Sequence, residues 1–287
     1  MFCKTYKSTM KTIARSPLAW AAATFMAGAA LFFVFRGSYG AVDLSTGEMI
    51  MDTDRRFILQ YYQYIQHIHN SIKVYVMLFG APVFCVIVSG IVLTRDWRDN
   101  FFEIENAGGV HSSSYFLGRY FAVFTFITVS ALVTYLLSFH LYIITRGGVP
   151  NLAPWEYVID SNVRLFREFF ITCIPGILIF MGVTFLVGNL TKSGTIGTIT
   201  GIVYILFEYL TKTFLNFRMP QFYHDYLTPA PYNLYHYWAY YDTEWFDVKW
   251  PHNPFTTGQM LLCLLSLYSI IIICSVTSYL CIRKRKV

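Results

Sequence analysis

Six long apolar stretches, parted by polar turns and loops, set the pattern of this chain: residues 18–35, 74–93, 120–144, 169–189, 194–213 and 259–282. Each is long enough to cross a bilayer as a helix, the conformation that satisfies its own backbone hydrogen bonds in lipid. The first covers 18 residues, which at helical rise reaches about 27 Å, close to the thickness of a hydrocarbon core. It is longer than the apolar run of a secretory signal, so an uncleaved first span is expected.

Residues 1–17 follow a different pattern. At 100° per residue, Lys4, Lys7, Lys11 and Arg15 share one sector of about 80°. Phe2, Tyr6, Met10 and Ile13 lie roughly opposite. This predicts an amphipathic helix in the inner membrane interface, apolar side down, ending at Ser16-Pro17. Residues 94–119, between the second and third stretches, predict a short helix over 96–106. Its charges are mixed, and Phe101, Phe102 and Ile104 supply a small apolar element. Gly108-Gly109 should stop it, and Ser112, Ser113 and Ser114 can cap the next helix.

Composition narrows the class. The 287 residues are 55% hydrophobic, 19% aromatic and only 13% charged. A soluble domain carries about a quarter charged residues, and a disordered chain more than this one. The expectation is an all-α membrane protein of six transmembrane helices. It has one transmembrane domain over 18–287, preceded by the interfacial helix 1–17.

Charge then orients it. With both termini inside, the inner segments 1–17, 94–119, 190–193 and 283–287 hold 12 Lys/Arg and 4 Asp/Glu in 52 residues. The outer segments 36–73, 145–168 and 214–258 hold 9 and 11 in 107 residues. Positive-inside bias therefore predicts a multi-pass plasma-membrane protein with cytoplasmic termini. The net charge of +6 describes a cytoplasmic face beside anionic lipid and not a nucleic-acid surface.

Chemistry-bearing residues are few. The six cysteines form no CxxC, and most lie in or beside apolar runs; neither a disulfide framework nor a zinc site is expected. Glu208 and Lys212 stand one turn apart in the fifth stretch, where charge is costly and marks a possible translocation path or an interfacial ion pair. Gly197 and Gly201 form GxxxG, which permits close helix approach. Pro82 and Pro175 should kink their spans. The outer loop 214–258 carries His224, His236 and His252 among Asp225, Asp242, Glu244 and Asp247. These residue types allow an alternative, a membrane-bound enzyme or metal-handling protein, but their spacing fits no ligand template. A non-transporting scaffold or sensor is a third class.

The string EIENAGGVHSSSYFLGRYFA resembles the segment after the second span of ABC-2 type transporter permeases. The order of Glu103, Glu105, Gly108, the three serines and Gly118-Arg119 follows that family. So do the basic N-terminal helix with Arg-Ser-Pro-Leu and the tight turn at 188–194. Gly-Gly-Val-His stands where the family often has Pro-Val-Ser. The resemblance implies the transmembrane subunit of an ATP-binding cassette exporter of an amphiphilic substrate, such as a peptide, lipid or drug-like molecule. Asp99, Phe101, Phe102, Glu103, Ile104, Glu105 and Asn106 would form its coupling helix. It implies a second permease copy or a homologous permease as partner. No Gly-x-x-x-x-Gly-Lys-Ser/Thr loop occurs, and Gly188–Ser193 lacks the glycine before its lysine. An ABC-type ATPase, carrying ATP and Mg on a separate chain, would supply the power.

Overall fold

A computed structural model describes residues 1–36, 80–145, 169–214 and 257–284. Among these the regular elements are all helical: α1 (Phe2–Arg15), α2 (Pro17–Arg36), α3 (Ala81–Arg98), α4 (Phe101–Ala107), α5 (Ser112–Thr145), α6 (Ile174–Thr191), α7 (Gly194–Phe214) and α8 (Thr257–Arg283). Segments of α5, α6 and α8, namely Ser112–Leu137, Ile174–Thr191 and Leu264–Arg283, are long and apolar enough to cross a membrane. They make the chain a membrane protein. Pro17–Phe32 and Gly194–Phe207 are apolar but shorter, and α3 ends in the charged turn Arg95, Asp96, Trp97, Arg98.

Pro82 and Pro175 both stand in the first turn of their helices. That is the position of an α-helix that proline tolerates best. The distortion expected within the fourth apolar stretch takes the form of a π-helical turn, Phe169–Cys173, directly before α6. Widening the turn accommodates the proline ring without breaking the helix.

Helix α6 is central. It packs against α7 and α8, while α3 packs on both α6 and α7. Helices α1 and α2 lie on α5, which also meets α3. The core includes Phe84, Tyr135, Phe169 and Phe185, with Ile13 and Met26 contributed by the first two helices. Large apolar side chains that remain exposed lie along α2, α5, α7 and α8, for example Phe25, Val133, Val203 and Ile272. That is the distribution a lipid-facing surface requires.

Glycine decides how closely the central helices approach. A Cβ on Gly197 would lie 2.8 Å from the Thr184 carbonyl oxygen, and one on Gly201 would lie 2.6 Å from the Thr184 hydroxyl and 2.7 Å from Val86. Across the seam, a Cβ on Gly188 would lie 2.7 Å from Leu93. The GxxxG pair of α7 thus faces α6 and α3. Lipid tails are as apolar as the side chains, so the gain here comes from close packing. Between α6 and α8, Asn189 donates a 2.7 Å hydrogen bond to the Ser278 hydroxyl, both residues buried.

Candidate functional site: the junction of α1, α3, α4 and α5

Helix α3 does not end at Leu93. It continues to Arg98 because no glycine or proline lies between Leu93 and Arg98, so the short helix begins at Phe101 rather than at Asp96. The break falls at Asp99-Asn100. Asn100 adopts the left-handed region at φ 48, which asparagine tolerates better than most residues. Helix α4 then spans Phe101–Ala107 and stops at the glycines. Gly109 takes φ 80, and its N–H donates to the Asn106 carbonyl at 2.9 Å, while that of Val110 donates to the Glu105 carbonyl at 3.0 Å. The serines do not cap α5. Ser112 is already its first helical residue, and the preceding position belongs to His111, whose carbonyl accepts from the Tyr115 N–H at 2.9 Å.

Moving Asp96 into α3 changes its role. It is buried at the foot of α3 and forms an ion pair with Arg119, two turns into α5; their side chains are only 8% and 3% exposed. The Arg119 guanidinium also lies 4.4 Å from the Tyr115 ring and 4.8 Å from the Phe101 ring. Arg95 approaches the same Phe101 ring at 4.3 Å. The first residue of α4 is therefore held by two cations, one from each neighbouring helix. Phe102 is buried edge-to-face on Tyr115 at 5.0 Å. Burial pushes the Asp96 carboxyl up to about 6, against the opposing pull of Arg119, the adjacent Tyr115 hydroxyl and Arg95, and with a small push from Glu105.

These contacts sort the expected coupling residues. Phe101, Phe102, Glu105 and Asn106 lie wholly or partly inside, and the first three hold α4 in place. Glu103 and Ile104 face outward, with Ile104 62% exposed. Asp99 is exposed at the end of α3, and its carboxylate accepts a 2.8 Å hydrogen bond from Arg98, which holds it below the usual carboxylate range.

Helix α1 forms as expected, and Lys4, Lys7, Lys11 and Arg15 are all exposed. The side that meets protein lies next to the apolar sector expected to face lipid. Thr5, Thr9 and Ile13 are the buried residues, and of the expected apolar sector only Ile13 is fully covered. The threonines face protein because α1 packs against α5 rather than lying on lipid alone. A Cβ on Gly118 of α5 would lie 2.9 Å from that of Thr5. The hydroxyls are satisfied locally: Thr9 donates to the Thr5 carbonyl at 2.9 Å, and Thr5 donates to the Glu105 carboxylate at 2.8 Å. That second bond ties α1 to α4. Ser16 separates α1 from α2 in an extended conformation. The Trp20 indole N–H closes the end of α1 by donating to the Ala14 carbonyl at 2.7 Å.

Glu208 and Lys212 stand one turn apart on the backbone of α7; their side chains lie outside the described residues. The outer histidines His224, His236 and His252 lie outside them too. Among the described residues no three His, Cys, Asp or Glu gather as a metal site. The described cysteines Cys3, Cys85, Cys173, Cys274 and Cys281 are free thiols. The ion pair escaped the sequence pattern because its members are far apart in the chain. The available signal was Arg119 itself, a lone cation entering an apolar run. No family model, no curated protein and no solved structure matches the chain.

Proposed function

We propose that this chain is the six-span transmembrane subunit of an ABC-2 type transporter, driven by a separate ATPase that pushes on α4. The observation that carries the reading is the division of α4 into an anchored side and a solvent-exposed side. Phe101 and Phe102 are clamped against α3 and α5, while Glu103 and Ile104 face outward. A mere connector has no reason to fix one side of a seven-residue helix so firmly while leaving an isoleucine in water. A short helix with an outward apolar knob beside a carboxylate fits a groove on another protein. Force applied there passes to α3 through Phe101 and Arg95, to α5 through Arg119 and Tyr115, and to α1 through Glu105.

In this reading two permeases, identical or homologous, enclose the path, with Glu208 and Lys212 as candidates to line it. Both termini are cytoplasmic. ATP and Mg bind the partner ATPase, whose closure shifts the spans between inward- and outward-facing packings. The cargo is amphiphilic, and the direction is export.

The test is co-purification of the full chain with an ATPase, followed by ATP turnover in the complex. Replacing Glu103→Ala and Ile104→Asp together should cut permease-stimulated turnover at least about tenfold, the effect of losing roughly 1.4 kcal/mol of docking energy, while the chain still inserts and folds. Unchanged turnover, or no ATPase recovered, would remove the transporter reading.

A further inference from the structure

Helix α1 has three distinct sides. The side bearing Thr5, Thr9 and Ile13 is buried against α5. Lys4, Lys7, Lys11 and Arg15 point directly away from it and are all exposed. On the helical wheel the two flanks between these sides differ: Cys3, Tyr6 and Met10 lie on one, Ser8 and Thr12 on the other. With one side against protein, only a flank can face the bilayer, and the apolar flank is the one that gains by it. The basic row then points sideways, along the membrane plane. Its depth is marked independently by Trp20, an exposed tryptophan at the start of α2 whose indole is bonded to the last turn of α1. Tryptophan settles at the headgroup level.

From this arrangement we infer that the basic side of α1 binds the headgroups of anionic phospholipids and passes their presence to α4. Four cations at headgroup depth, turned away from the protein, complement a row of lipid phosphates. The route inward is the contact already described: α1 is seated on Gly118, and Thr5 holds Glu105 of α4. Lipid that steadies α1 therefore steadies α4. The inference requires a membrane protein but not an ATPase partner, so it stands or falls apart from the transporter reading.

The full-length chain should be reconstituted in phosphatidylcholine vesicles, and in vesicles in which about a third of the lipid is phosphatidylglycerol. Amide hydrogen exchange is then followed over α1 and α4. With the anionic lipid, exchange in α1 should slow at least about tenfold, the combined pull expected of several surface cations, and exchange in α4 should slow with it. High salt should reverse the effect. A variant with Lys4, Lys7, Lys11 and Arg15 all changed to Gln should not respond, whereas Lys4→Arg, Lys7→Arg and Lys11→Arg together should respond as the natural chain does. Equal exchange in both vesicles, or an undiminished response in the glutamine variant, would overturn the inference. So would protection of α1 that arises only when an acidic protein is added. Slowing in α1 without any change in α4 would overturn the transmission to α4.

Discussion

The seam between α3, α6 and α7 and the junction of α1, α3, α4 and α5 hold helices together by opposite means. In the seam, side chains are removed: Gly188, Gly197 and Gly201 let backbones approach until a single methyl would collide. At the junction, side chains are added: Asp96, Arg119, Arg95, Phe101 and Tyr115 interlock charge with aromatic faces. The difference follows the surroundings. Within lipid, association without a hydrophobic drive depends on contact area. At the membrane edge, water makes a loose polar contact cheap, so position must be specified by buried charge and directed hydrogen bonds. Such a network has a definite geometry and can be displaced as a unit. Close glycine packing resists displacement because a shift meets the backbone of α6 at Gly197 and the side chains of Leu93, Val86 and Thr184 at Gly188 and Gly201.

The sharpest way to break this comparison is to remove one partner of the buried pair. Arg119→Met strands the Asp96 carboxylate and should cost about 3–5 kcal/mol. The double change Asp96→Leu with Arg119→Met should recover most of that loss, because no lone charge remains. Thermal unfolding of the purified chain in detergent measures both. Additive effects would show that the pair is not coupled.

In the seam, Gly197→Leu or Gly201→Leu should destabilise by about 1–3 kcal/mol through overpacking. Gly28→Leu on α2, where the space is open, should change stability little. A similar cost at all three positions would deny the seam its special role.

The smallest effect concerns pH and should appear only at the junction. Burial raises Asp96 to about 6 from an ordinary 3.8, so the folded chain holds this proton more tightly than the unfolded one. The resulting stability is full below the ordinary value and is lost as pH rises through about 6. The slope there is on the order of 1 kcal/mol per pH unit. Relative to Asp96→Asn, the natural chain should therefore lose stability as the pH climbs across that window. Glycine variants of the seam should keep the natural profile. A difference between the natural chain and Asp96→Asn that is independent of pH would refute the assignment.

Particular residues show how far the pattern carried. Ser16-Pro17 and Gly108-Gly109 break helices because backbone chemistry is local and needs no partner. The GxxxG of α7 was visible, although its partners in α3 and α6 were not. The inner loop was harder. Its charges marked the neighbourhood of a site, but Asp96 read as the start of a surface helix. Nothing within a few residues showed that Arg119 would return to meet it. On α1, the wheel separated basic from apolar residues but did not mark the side of Thr5 and Thr9 as the one that meets protein. The threonines won that side because a short hydroxyl can bond its own backbone and still let Gly118 approach.

By itself, then, the sequence determined that the chain enters a membrane, that its described elements are helices, and where local breakers divide them. Hydropathy and backbone preference act over a few residues at a time, so they can be read in order along the chain. The tertiary structure alone decided which side of α1 is buried, that Asp96 and Arg119 neutralise each other, and which residues of α4 are left outward. Those outcomes depend on surfaces that meet only after the helices pack, and on burial that makes an unpaired charge too costly to leave alone.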